Sequence, residues 1–209
     1  MQEILISGKP GAGKTLLLMK LIREFDNIVW VTTTMSTKIL RKILRNNDVW
    51  IIDAYTGTNV KFHPKDVIIG NPLNLNEINL GISQVLDQIK GETLVIVDSI
   101  TGLLLYHDLR MVVHFIRSAL VRMEEKGASS VFTLVKNAHD FQTETRLYTM
   151  FPTIIELIRE DNKETKRFIR VIKSVKYIEP SFGEVKIIRN NIILPDHIMD
   201  YIVRVLKSR

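Results

Sequence analysis

The sequence predicts an α/β fold: a mainly parallel sheet flanked by helices, with antiparallel strands added after residue 150. Three observations carry this. Short runs that are apolar on both faces, such as Val49-Trp50-Ile51-Ile52 and Leu94-Val95-Ile96-Val97, alternate with longer segments of helical periodicity. Strands buried on both faces belong to parallel sheets covered by helices. A glycine-rich stretch joins the first strand to the first helix, and beyond residue 150 strand-like runs crowd together around short turns.

In order, Ile4-Leu5-Ile6 reads as a strand, Thr15 to Phe25 as a helix and Ile28-Val29-Trp30-Val31 as a second strand. Ser36 is placed to cap a helix over 37–45, where Ile39, Leu40, Ile43 and Leu44 recur at helical spacing. A third strand at 49–52 ends at Asp53, and residues 54–75 are broken by Gly57, Pro64, Gly70 and Pro72. A helix over 76–90 carries Ile78, Ile82, Val85, Leu86 and Ile89 on one face and stops at Gly91. The strand 94–97 ends in Asp98; a helix over about 108–126 stops at Gly127, and Val131 to Val135 forms a fifth strand. Runs at 153–158, 167–173 and 184–189, with turns at Asp161-Asn162 and Pro180 to Gly183, read as antiparallel strands extending the sheet. A helix over 196–207 closes the pattern. With no repeat, low-complexity segment or linker, the expectation is one domain over 1–209.

Composition removes several classes of function. There is no cysteine, which excludes disulfides, thiolate metal sites and cysteine nucleophiles. The five histidines, at 63, 107, 114, 139 and 197, show no ligand-type spacing. No apolar run approaches the roughly 18 residues of a membrane span. Met1-Gln2-Glu3-Ile4 lacks the basic start of a secretory signal. The expectation is a cytoplasmic protein without membrane insertion. Lys+Arg 29 against Asp+Glu 23 leaves a net charge of +6, which permits a nucleic-acid partner without requiring one.

The strongest chemical signal is Gly8-Lys9-Pro10-Gly11-Ala12-Gly13-Lys14-Thr15, a full match to the G-x-x-x-x-G-K-[ST] phosphate loop (Walker A). Glycines let backbone N–H groups turn inward around phosphate oxygens, and the following helix adds its positive dipole end. Lys14 is expected to reach the β- and γ-phosphates, and the Thr15 hydroxyl to ligate Mg²⁺. The metal needs an acidic partner. Asp98 is the best candidate because it ends an apolar strand, at the sheet edge where α/β proteins bind ligands. Asp53 is a weaker competitor. Strand–helix pairs around 28–53 separate the loop from Asp98, an order that suits ATPases with an inserted strand and suits small-molecule P-loop kinases poorly.

With these residues in place, the chain resembles the RecA-like ATPases of the KaiC type, especially archaeal single-domain versions. The matching pieces are the loop at 8–15, Leu94-Val95-Ile96-Val97-Asp98-Ser99-Ile100-Thr101, Phe132-Thr133-Leu134, Ile154-Ile155-Glu156-Leu157 and Arg170-Val171-Ile172-Lys173. The resemblance implies a RecA-like core that holds Mg-ATP between subunits of a ring or filament, so a homo-oligomer or a partner protein is expected. It also implies that Lys173 reaches a neighbour's γ-phosphate, as half of a Lys-x-Arg pair whose Arg is replaced here by Val175. The family places a catalytic Glu after its second strand; Thr34 stands in that region, within Trp30-Val31-Thr32-Thr33-Thr34-Met35. Slow or absent hydrolysis is the expectation.

Further expectations are local. Lys136 or Asn137, after the fifth strand, could act as a polar sensor near the γ-phosphate. The basic run Lys163, Lys166, Arg167, Arg170, Lys173 and Lys176 reads either as a nucleic-acid or subunit-facing stripe or as a lysine-protected sheet edge. The main reading is a Mg-ATP-binding protein that uses ATP for conformational control and assembly. The alternative is a DNA-binding recombinase-type ATPase, for which Thr101 to Asp108 and Lys136 to Met150 supply few basic residues.

Overall fold

The apolar runs become strands and the periodic segments between them become helices. The computed structural model describes residues 2–45, 48–57, 61–161 and 164–208. In chain order the elements are β1 (Glu3–Gly8), α1 (Lys14–Leu21), β2 (Asn27–Thr32), α2 (Thr37–Leu44), β3 (Val49–Asp53) and β4 (Asp66–Ile68). Next come α3 (Leu75–Leu86), β5 (Thr93–Asp98), α4 (Ile100–Leu104), α5 (Leu109–Glu125), β6 (Ser129–Val135) and α6 (Phe141–Thr149). The last stretch holds β7 (Thr153–Asp161), β8 (Thr165–Lys173), β9 (Phe182–Glu184), β10 (Lys186–Ile188), β11 (Asn191–Ile193) and α7 (Asp196–Lys207). Asn74, Ser99, Asp108 and Asp140 each cap a helix by accepting a backbone N–H in its first turn.

Two compact units are present. The first joins Met1–Glu24 to Val131–Arg209. Its strands run in the order β6-β1-β7-β8-β9. β1 pairs parallel with β7 in the register Gly8↔Leu157, and β8 pairs antiparallel with both β7 and β9. α1 packs on β1 and on the antiparallel β10–β11 ribbon, and α7 packs on β1. The second unit is Phe25–Ser130, where β4, β3, β2 and β5 lie side by side and parallel. Thr32 is in register with both Asp53 and Asp98, which sets the C-terminal ends of β2, β3 and β5 level.

Several boundaries differ from the sequence reading. The segment 153–158 was expected to be antiparallel; β7 instead pairs parallel with β1. The run 184–189 divides, β9 staying with β8 while β10 turns away to β11. The helix expected over 76–90 ends at Leu86. Beyond it the chain is held by Asn27, whose Nδ2 donates to the Lys90 carbonyl at 2.8 Å, and by Asp26, which accepts from the Glu92 amide. Ser36 occupies the N-cap of α2, but its side chain makes no capping bond. The turn at Asp161-Asn162 and Lys163 of the basic run extend outside the described residues.

Asp53, the weaker competitor for the metal, has both carboxylate oxygens bonded to the protein's own donors. It is 2% exposed and binds the turns that follow β2 and β3. Its Oδ2 accepts from the Thr37 amide (2.9 Å), the Thr37 hydroxyl (2.7 Å) and the Thr56 hydroxyl (2.7 Å), and its Oδ1 from the amides of Tyr55 and Thr56. Burial pushes its pKa up, but the bonds from Thr37 and Thr56 favour the carboxylate and leave it lowered. Its stabilising contribution is therefore present at neutral pH and lost as pH falls through the lowered value. Asp53→Asn, which replaces an acceptor by a donor, is expected to cost about 2 kcal/mol at pH 7. The wild-type advantage should shrink below about pH 4. Urea unfolding at both pH values checks this; equal stability of the two proteins at pH 7 would contradict it.

Candidate functional site

The loop between β1 and α1 gets its shape from glycine. Gly11 has φ 73° and Gly13 has φ 109°, left-handed conformations that a side chain makes costly. At Gly13 an added Cβ would also lie 3.2 Å from Ile192 Cδ1. Gly8 is closed from the other side, because an added Cβ would lie 2.5 Å from the Leu157 carbonyl oxygen. Ala12 is buried and its amide donates to the Lys9 carbonyl at 3.2 Å, tightening the turn. Gly13 caps α1 without a side chain, so the first helical amides lie beside glycine backbone.

Lys14 folds back over this loop. Its Nζ donates to the Gly8 carbonyl at 2.5 Å and to the Lys9 carbonyl at 3.1 Å. Lys9, Pro10 and Gly11 are exposed, and Thr15 is half-buried one position into α1. The left-handed glycines, the helix N-terminus and the lysine are the donor set that a polyphosphate requires. The fit to a nucleotide's phosphates is good.

A charged cluster of the same unit adjoins the loop. Glu156, 2% exposed on β7, pairs with Lys136 and with Arg170, whose Nη2 lies at 2.6 Å. The Lys136 amide donates to the Gly8 carbonyl at 3.2 Å, tying the end of β6 to the start of the loop. The Lys136 backbone is thus at the loop, while its side chain is paired with Glu156. Asn137 adopts φ 61° and its amide is bound by Glu144 at 2.6 Å. Glu156 went unassigned a role from sequence; its signal is a carboxylate inside the apolar run Ile154 to Ile158.

Lys173 is exposed at the end of β8, where its Nζ donates to the Tyr148 carbonyl at 3.3 Å. Of the basic run, Arg167, Arg170 and Lys173 each bond to an element of their own unit.

In the second unit Asp98 closes β5 and is 8% exposed. The turn after it is clamped by Thr33, whose hydroxyl accepts from the Ser99 amide (2.8 Å) and donates to the Ser99 carbonyl (2.7 Å). Gly102 permits the contact, since a Cβ there would meet Thr33 Oγ1 at 2.3 Å. The Thr32 hydroxyl donates to the Met35 carbonyl. Of Thr32, Thr33 and Thr34, only Thr34 is exposed. Near these residues a cleft of about 320 Å³ is lined by Thr33, Tyr55, Asn71, Leu73, Gly102 and Tyr106.

Among the described residues no group of His, Asp and Glu is arranged to hold a metal by itself, and no helix is long and apolar enough to cross a membrane. Solved structures show where this fold recurs. A KaiC-like protein from the hyperthermophilic archaeon Pyrococcus horikoshii OT3 superposes with a TM-score of 0.70 at 17% identity, covering 93% of this chain and 89% of that one. An uncharacterized protein from Pyrococcus horikoshii, solved in complex with an unknown peptide, gives 0.72 at 13% identity, covering 93% and 91%. The fold is therefore that of KaiC-like, RecA-type domains. No curated protein matches the chain. A family model matches residues 3–157, which span β1, the glycine loop, Asp98 and most of β7, and the chain belongs to that family, DUF7504, a family of unknown function.

Proposed function

We propose that this chain binds Mg-ATP through residues 8–15, hydrolyses it slowly or not at all, and uses it for conformational control and assembly with itself or a partner protein. One observation carries the reading: the left-handed glycines 11 and 13 open α1 while Lys14 lies across the loop on the Gly8 and Lys9 carbonyls. Phosphate oxygens are stronger acceptors than these carbonyls, so Lys14 is poised to exchange one set for the other. Thr15 and Asp98 are the proposed Mg²⁺ ligands, Asp98 through its carboxylate or a bound water. The KaiC-like fold supports nucleotide binding, and the peptide held by one structural neighbour is in keeping with a protein partner. Mg²⁺, when bound, would neutralise charge on the phosphates.

The DNA-binding alternative gains nothing from β8. Arg167, Arg170 and Lys173 each bond within their own unit, to the Gly11 carbonyl, Glu156 and the Tyr148 carbonyl.

Lys14→Ala is expected to abolish ATP binding without unfolding the protein, because the side chain contributes charge-assisted contacts and little packing. Calorimetric titration checks this, and wild-type affinity in the variant would sink the assignment. If Lys173 serves a neighbouring site, Lys173→Ala should weaken ATP-dependent assembly in light scattering while leaving the monomer folded. Unchanged affinity and assembly would leave it a strand residue only.

Slow turnover follows from the 32–35 segment. General-base assistance is typically worth about 10²–10⁴-fold, and Thr34, the exposed residue there, cannot take a proton at neutral pH. Thr34→Glu should raise phosphate release. A wild-type rate near 1 s⁻¹, about the low end of typical turnover, would contradict the proposal.

A further inference from the structure

On β7 and β8, Arg159 stands directly opposite Arg167. Like charges placed across a strand pair repel. Both side chains nevertheless converge on one residue of the glycine loop. The Arg167 Nε donates to the Gly11 carbonyl at 3.3 Å. Arg159 lies so close over Gly11 that an added Cβ would sit 2.2 Å from its Nη1. Glycine at position 11 therefore does two things: it takes φ 73°, and it leaves the space that the Arg159 guanidinium occupies. Lys9 and Lys14 belong to the same loop, so four cations gather at this turn. The carboxylate bonded to Arg159 is Asp161, at 2.9 Å from its Nε. Asp161 is largely exposed, so it offsets little of the positive field.

We infer that Arg159 and Arg167 are phosphate-binding residues of the nucleotide site, delivered in cis by the β7–β8 pair onto the glycine loop. The inference rests on the nucleotide reading above and adds two residues to it. Guanidinium groups match phosphate oxygens bidentately, and a polyanion in the loop would turn the repulsion among these cations into attraction. Arg167 keeps its remaining N–H donors beyond the one spent on the Gly11 carbonyl, and Arg159 is one-third exposed, so both can reach a ligand without breaking a core.

The test is calorimetry on the full chain with two probes, Mg-ATP and Mg-tripolyphosphate, at low and moderate salt. The proteins are wild type, the Arg159→Ala/Arg167→Ala double variant and the Arg159→Lys/Arg167→Lys double variant. The inference predicts that the alanine variant binds both probes at least about tenfold more weakly, with a flatter salt dependence. The lysine variant should recover part of the loss, and the unfolding midpoints without ligand should match wild type. Unchanged affinity in the alanine variant overturns the inference, and so does weakening for ATP alone, which would place the arginines on the base or ribose. Equal weakening in the lysine variant with a lowered unfolding midpoint also overturns it, by showing that the arginines only support the loop. Failure of the wild type to bind either probe would overturn the nucleotide reading itself, and this inference with it.

Discussion

A backbone that turns left-handed twice within three residues, at Gly11 and Gly13, sets the conditions for everything around it. The turn needs glycine, and it also needs neighbours that tolerate bare backbone. Leu157 on β7 closes over Gly8, Ile187 and Ile192 of the β10–β11 ribbon lie against Gly13, and Arg159 covers Gly11. Strand β1 fixes where the loop begins, through its parallel register with β7. Helix α1 fixes where it ends, with Leu17, Leu18 and Leu21 buried behind it. The loop is thus held by elements from both ends of the chain, which explains why a segment so far along as 153–173 bears on a motif at 8–15.

Charge is distributed along the same lines. A buried carboxylate survives only with partners, and two of the buried acids show two uses of that rule. Glu156 gathers Lys136 and Arg170 beside the loop in the first unit. Asp53 gathers five donors from Thr37, Tyr55 and Thr56 and serves as a joint between turns in the second. Both acids end or interrupt apolar strands, so sequence position alone gives them the same look. Partners separate them: two cations beside a loop in one case, a closed set of hydroxyls and amides in the other.

Much of this was legible in the sequence, and the failures have physical causes. The glycine loop, the apolar strands and α7 were readable because each imposes a strict pattern on residue type. α6 was missed because it carries no apolar stripe: Phe141 is exposed, and what it buries is Leu147 together with Glu144. β4 and α4 are too short for a period to show. The direction of β7 was misread because strand runs close together suggest hairpins, whereas its pairing partner β1 lies at the other end of the chain. Arg159 escaped notice for a related reason, since only the cross-strand register with Arg167 brings it to Gly11.

The most direct measurement of the central claim is a crystal structure of the protein with Mg²⁺ and a non-hydrolysable ATP analogue. The account predicts phosphate oxygens within hydrogen-bond reach of the backbone amides of residues 11–15, with Lys14 Nζ moved from the Gly8 and Lys9 carbonyls onto them. A nucleotide bound elsewhere, or a loop still empty at saturating analogue with Lys14 on the Gly8 carbonyl, would contradict it.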